Sequence, residues 1–179
     1  MSLDQTVLSF FGRIHTPLLD SVARILTALS DKGLIWILMG LLLLAFPKTR
    51  KVGVTVLLAL LMSLTIGNGI LKPLVGRTRP FDLQEIELLI PRPGGASFPS
   101  GHTMSSFGAA VALFRYRKKL GAAALGLAAL VGLSRLYLQV HFLTDVLAGV
   151  VFGTLFGVAS ALLVGYAVKA WKKRKNKGE

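Results

Sequence analysis

The chain has 179 residues, a length that suits one domain. With 53% hydrophobic residues, 16% charged residues and a mean hydropathy of +0.65, it is not an ordinary soluble domain, where about a quarter of residues carry charge. The absence of cysteine excludes disulfides, zinc–thiolate sites and iron–sulfur clusters, and the net charge of +13, which would suggest nucleic acid in a soluble protein, matters here for its distribution.

The first 32 residues are interrupted by Asp4, Arg13, His15, Asp20 and Arg24 and do not read as a span. No basic stretch precedes an early apolar run, so no cleavable signal peptide is expected. Ser2 and Gln5 have the spacing of a capping box, and Thr16-Pro17 reads as an N-cap followed by proline at the first helical position. Leu18, Leu19, Val22, Ile25, Leu26 and Leu29 then recur at helical spacing. The pattern predicts a pair of interfacial amphipathic helices on the outer surface, with a sixth, tilted span as the alternative.

Five apolar segments follow, at about 33–46, 52–71, 101–114, 120–138 and 146–168. A span needs roughly 20 residues, so the first and third are short. The third opens at Ser100-Gly101-His102, which places a polar top at headgroup level. The expected fold is all-α: a single membrane-embedded helical bundle over 1–179, with interfacial helices in 1–32, a five-span core in 33–168 and a basic tail in 169–179. Gly149, Gly153 and Gly157 line one helical face, as do Ala124, Ala128 and Gly132, so backbones can approach closely there. Glycine is also simply common in membrane helices.

Basic residues orient the bundle. One set of breaks and the tail hold Lys48, Arg50, Lys51, Arg115, Arg117, Lys118, Lys119, Lys169, Lys172, Lys173, Arg174, Lys175 and Lys177, thirteen of the 21 Lys and Arg, with Glu179 as the one acid. The other side carries the remaining eight bases, seven of the eight acids and every histidine. By the positive-inside rule the thirteen face the cytoplasm, with the C-terminus, and the histidines face out.

Three polar clusters lie on that outer side. Lys72 to Pro80 gathers Lys72, Arg77 and Arg79 where anchoring to the cytoplasmic face does not explain them. Cations gathered at one point bind an anion, and the arginine fork matches phosphate oxygens; a snorkelling juxtamembrane anchor is the plain reading. Phe98-Pro99-Ser100-Gly101-His102 opens a helix, where free amides make an anion site and Gly101 allows close approach to the backbone; an ordinary cap with an interfacial histidine is the alternative. In the third cluster Arg135 lies near the end of an apolar helix, where charge is costly and usually functional. If the chain is helical from His141, Asp145 lies one turn on, on the same face. A carboxylate beside imidazole fixes its tautomer and suits a nucleophile or base, although the pair also serves merely to start a helix.

With these residues in view, the chain resembles the type 2 phosphatidic acid phosphatase superfamily, which includes bacterial lipid phosphatases and vanadium haloperoxidases. Its signatures K-x6-R-P, P-S-G-H and S-R-x5-H-x3-D match Lys72 to Arg79-Pro80, Pro99-Ser100-Gly101-His102, and Ser134-Arg135 to His141 and Asp145, complete and in order across residues 72–145. The resemblance implies a lipid phosphatase of the cell membrane that uses neither metal nor cofactor. It implies that His141 attacks phosphorus to form a phosphohistidine, Asp145 orients His141, and His102 protonates the leaving oxygen and then activates water. It assigns Lys72, Arg79, Ser100, Gly101 and Arg135 to the phosphoryl oxygens. Arg77 falls at a variable position and is an auxiliary contact at most. Undecaprenyl diphosphate is the expected substrate, ahead of phosphatidylglycerophosphate and phosphatidic acid; the expected partners are that lipid and the bilayer, with no nucleic acid and no obligatory protein.

Between the first two clusters, the loop from Phe81 to Phe98 carries Ile86, Leu88, Leu89 and Ile90. These either lie on the bilayer and admit a lipid or belong to a plain loop. Two rival functions remain. His102, His141 and Asp145 imitate a two-histidine, one-carboxylate metal site, but the surrounding cations would repel a metal. An anion carrier would show inverted repeats and broken helices, and the sequence reveals neither.

Overall fold

The computed structural model describes residues 2–176, and these form helices, turns and loops with no strand. Lys177 and Glu179 of the expected tail lie outside the described residues. The chain opens with α1 (Leu3–Phe11), capped by a reciprocal Ser2–Gln5 box, and α2 (Pro17–Ser30), capped by Thr16 with proline at its first position. Both helices are pinned to the far end of the bundle. The Gln139 amide donates to the Leu8 carbonyl at 3.1 Å, and the Tyr137 hydroxyl donates to Asp20 at 2.5 Å.

α2 does not end freely. A single 3-10 turn, Asp31–Gly33, joins it to α3 (Leu34–Ala45), and the segment Pro17–Ala45 is long and apolar enough to cross a membrane. The break between α2 and α3 falls at the boundary expected between 1–32 and 33–46, and it arises because Lys32 (φ 49°) and Gly33 (φ 75°) both take the left-handed conformation. The leucine-rich stripe of α2 points outward, while Thr27 and Ser30 are buried against the protein. This is the arrangement a lipid-facing helix requires, since the bilayer already solvates apolar side chains and the polar ones must find partners inside.

α4 (Arg50–Met62) continues through a π-helical stretch, Ser63–Leu71, into the short α5 (Lys72–Val75). The wide turns lie at the end of the helix that leads into Lys72, and π segments are frequent at functional sites. α6 (Pro80–Leu83) and the long loop follow, then α7 (Gly101–Tyr116), α8 (Lys118–Tyr137) and α9 (Leu143–Asn176). Four stretches (Pro17–Ala45, Arg50–Leu83, Lys118–Tyr137 and Leu143–Asn176) have the length and apolarity of a span; α7, at 16 residues, is shorter. α9 has 34 residues and therefore runs about 51 Å, beyond the roughly 30 Å hydrocarbon core. The basic residues from Lys169 to Lys175 are helical and form its last turns.

Small residues set the packing. A Cβ on Gly149, Gly153 or Gly157 would come within 2.9, 2.4 or 2.7 Å of a carbonyl oxygen of α7 or its cap, so α9 and α7 touch backbone to backbone. A Cβ on Gly53 would lie 2.7 Å from the Gly40 carbonyl, giving α3 and α4 the same intimacy. Trp36, Val56, Ala109, Ala112 and Ala128 fill the centre, where the Trp36 indole donates to Ser106 at 2.9 Å. At one end, Lys51 in the first turn of α4 sits 5.0 Å from the ring of Tyr116, the last residue of α7, so the basic α3–α4 and α7–α8 connections are neighbours. At the other end, Ile86, Leu88, Leu89 and Ile90 pack with Phe81, Tyr137, Leu138 and Val140, so the loop closes over the bundle.

Candidate active site

Three chain segments converge under that loop. α5 ends at Gly76 in the left-handed conformation (φ 61°), and this turn sends the two following arginines in different directions. Lys72 donates to the Ala96 carbonyl at 2.9 Å. Arg79, 5% exposed, donates to the carbonyls of Gly95 (2.9 Å), Gly94 (3.1 Å) and Val140 (2.9 Å) and lies 3.4 Å from His141 Nε2. It therefore ties the loop to the turn that carries His141.

The second segment is the start of α7. Ser100 occupies the N-cap position but makes no side-chain cap; its hydroxyl instead accepts from Thr103 at 2.9 Å, and its amide donates to the Asp145 carbonyl at 3.0 Å. A Cβ on Gly101 would lie 2.9 Å from Oδ1 of Asn68, the tip of an exposed side chain that packs close to the start of α7. His102 faces Asp31 across the cavity, with Nε2 3.7 Å from the carboxylate.

The third segment joins α8 to α9. Arg135 is buried, at 1% exposed, and donates to Thr27; its Nε has no hydrogen-bond partner among the described residues. Buried unsatisfied donors are rare, and one at a cavity wall marks a place for an acceptor. α9 begins at Leu143, so the chain is not yet helical at His141, which sits in the turn that follows Gln139 (φ 54°). The pair still meets. His141 Nδ1 lies 3.5 Å from Asp145 Oδ2, which also accepts from the Phe142 amide at 2.9 Å, the back-bonding half of a capping box.

Lys72, Arg79, Gly101, His102, Arg135 and His141 line one cavity of about 690 Å³, whose wall continues over Ile37, Leu57, Leu60, Leu61 and Leu64. Ser100 and Asp145 are fully buried behind it. The cavity thus joins a cationic head to an apolar flank. His141, outside the spanning helices, is buried; desolvation pushes its pKa down to about 3 against the opposing effect of its hydrogen bond to Asp145, and Arg135, Arg79 and Lys72 add to the lowering. It is therefore neutral near pH 7, and Nε2 is the nitrogen that faces Arg79 and the cavity. No three of His, Cys, Asp and Glu gather to hold a metal ion among the described residues.

Several contacts escape local sequence reading. Ser97 is buried and donates to Asp145 Oδ2 at 2.5 Å. Arg77 turns away from the cavity and onto Asp145 Oδ1 at 2.6 Å, with Asp4 at 2.8 Å on its other nitrogen. Burial would raise the Asp4 pKa, but hydrogen bonds from Arg77 and Thr144 outweigh it and hold the carboxyl below its ordinary value.

The sequence model of the PAP2 superfamily matches residues 52–169, which include all three clusters. The undecaprenyl-diphosphatase of Sulfolobus acidocaldarius is 35% identical over 122 residues, 67% of this chain and 59% of that protein, so the chain spans less than two thirds of that relative's length. Undecaprenyl-diphosphatase BcrC of Bacillus subtilis is 28% identical over 147 residues, 80% of this chain and 74% of that protein. The crystal structure of Aquifex aeolicus LpxE superposes with a TM-score of 0.74 at 27% identity, covering 89% of this chain and 95% of that one. A transmembrane PAP2 type phosphatidylglycerolphosphate phosphatase from Bacillus subtilis gives 0.73 at 29% identity over 93% of this chain and 85% of that one. The chain is an all-helical, multi-pass membrane protein of the PAP2 superfamily.

Proposed function

We propose that the chain hydrolyses a membrane lipid diphosphate through a phosphohistidine, without metal, at the outer face of the cell membrane, and that its substrate is undecaprenyl diphosphate. The observation that carries this is the cavity: Lys72, Arg79 and Arg135 meet at one end, and leucines form the flank. Such a site holds a phosphate head and an apolar chain together. The undecaprenyl-diphosphatases among the relatives favour this lipid; a relative named phosphatidylglycerophosphatase B supports phosphatidylglycerophosphate as a second substrate. The thirteen bases that the sequence gathers in one set of breaks and the C-terminal segment support an outward-facing site and a cytoplasmic C-terminus.

In this reading neutral His141 Nε2 attacks the terminal phosphorus while Asp145 keeps the proton on Nδ1 and stabilises the imidazolium. The bond from phosphorus to the bridging oxygen breaks, and His102, protonated once the anionic diphosphate lies beside it, gives that oxygen its proton as undecaprenyl phosphate leaves. Lys72, Arg79, Arg135 and the Gly101 amide hold the equatorial oxygens, where electrostatic stabilisation does most of the work. His102 then takes a proton from water, which attacks the phosphohistidine and releases inorganic phosphate. The test compares purified enzyme on undecaprenyl diphosphate, phosphatidylglycerophosphate and phosphatidic acid, with EDTA and with vanadate. The highest kcat/KM on the diphosphate, unaffected by EDTA and inhibited by vanadate, is expected. Loss of activity in EDTA that added metal restores contradicts the mechanism.

A further inference from the structure

Arg77 is the one cation of the first cluster that the proposed chemistry leaves without a task. It is absent from the cavity wall, and both its terminal nitrogens are engaged elsewhere. One donates to Asp145 Oδ1 and to the Thr144 hydroxyl, each at 2.6 Å; the other donates to Asp4 Oδ2 at 2.8 Å. Its guanidinium lies 4.2 Å from the centroid of the Phe142 ring. Asp4 is itself anchored, accepting from the Thr144 amide at 3.0 Å and the Thr144 hydroxyl at 2.8 Å. A carboxylate of α1 thus caps the first turn of α9, the turn that carries Asp145.

We infer that Asp4 and Arg77 are positioning residues, through which the N-terminal helix α1 holds the Asp145 carboxylate against His141. The inference rests on the proposed roles of His141 and Asp145. Asp145 has two oxygens with separate duties: Oδ2 faces His141 and Ser97, and Oδ1 faces Arg77. Fixing Oδ1 prevents the carboxylate from rotating away from the imidazole. Charge explains why Arg77 needs Asp4. Arg77 and Asp145 alone sum to zero, which would leave little field for the imidazolium that forms at His141. With Asp4 sharing the guanidinium, the three groups sum to −1, and attack at phosphorus brings the cluster to neutrality. Asp4 also keeps a partly exposed Arg77 from swinging into solvent or toward the phosphate.

The test uses the full chain purified in detergent, with phosphate release from a prenyl diphosphate measured over a range of substrate concentrations. Asp4→Asn keeps the shape and should lower kcat about 10-fold, and Arg77→Gln about 100-fold, the losses that go with hydrogen bonds to charged groups. KM should stay within about twofold of the wild-type value, because neither residue lines the cavity. Arg77→Lys should recover part of the loss, and Asp4→Asn/Arg77→Gln should be no slower than Arg77→Gln alone, since the two residues act as one unit. Ser2→Ala, which uncaps α1 without touching Asp4, should lower the melting temperature and leave kcat unchanged. Wild-type kcat in Asp4→Asn, a loss confined to KM, or losses that multiply in the double variant would overturn the inference. If Arg77→Gln fails to fold, Asp4→Asn and Arg77→Lys decide it by the same split. Activity in His141→Ala would count against the proposed function itself, whereas a fully active Asp4→Asn beside an inactive His141→Ala counts against this inference alone.

Discussion

Asp145→Asn preserves the volume of a fully buried side chain and removes one charge. Every group around the carboxylate is a donor: Arg77 at 2.6 Å on Oδ1, and the Ser97 hydroxyl at 2.5 Å and the Phe142 amide at 2.9 Å on Oδ2, with His141 Nδ1 at 3.5 Å. The asparagine NH₂ must therefore face donors whichever way it turns. Toward Arg77 it sets donor against donor. Toward His141 it makes Nδ1 an acceptor and moves the ring proton to Nε2, the nitrogen that must attack. The same wrong-tautomer change in a serine protease triad costs about 10⁴ in kcat, so a loss of about 10³–10⁴ is expected here. KM should hold, because the contacts of Lys72, Arg79 and Arg135 do not involve Asp145. Initial rates of phosphate release from prenyl diphosphate in micelles measure both constants. A folded Asp145→Asn enzyme with kcat within tenfold of wild type would refute the reasoning.

Three other outcomes are expected. His102→Ala should lose about 10²–10⁴-fold on a lipid alkyl phosphate, but much less on p-nitrophenyl phosphate, whose leaving group needs no proton; equal losses on both would remove His102 from the acid role. A cysteine at Gly94 should be labelled by an impermeant reagent from outside the cell and one at Asn176 should not, and the reverse pattern would turn the bundle over. Finally, the unfolded chain protonates His141 near its ordinary pKa of about 6.5, while the folded chain resists protonation down to about 3. His141 therefore contributes stability above pH 6.5 that is lost as pH falls toward 3, at up to about 1.4 kcal/mol per unit. Melting temperatures of wild type should fall more steeply between pH 6.5 and 4 than those of His141→Asn, and parallel curves would contradict this.

Much of the fold was legible because its signals are local. The Ser2–Gln5 box, the Thr16-Pro17 cap and the glycine stripe of α9 are each written in a short run of sequence, and each occurs where periodicity and spacing place it. The three clusters were legible as types of residue at fixed spacings, and the structure brings six of the eight expected site residues to one cavity. What the sequence could not convey depends on distance or on solvent. Arg77 belongs to Asp4, 73 residues away, and Arg135 to Thr27, 108 residues away, so no local pattern announces either pair. The outward-facing stripe of α2 and the inward-packed Ile86–Ile90 look alike in sequence, because lipid and protein interior are equally apolar. The sequence leaves open whether the chain is helical at His141, because a left-handed residue such as Gln139, which precedes the turn, is not marked by glycine.

The central claim is that His141 carries the phosphoryl group. Quenching the enzyme during turnover of a substrate ³²P-labelled at the terminal phosphate, followed by proteolysis and mapping of the label, tests it most directly. An acid-labile, base-stable phosphopeptide bearing the label on His141, more abundant in His102→Ala and missing in His141→Ala, is the predicted result. Label on another residue, or normal labelling of His141→Ala, would contradict it.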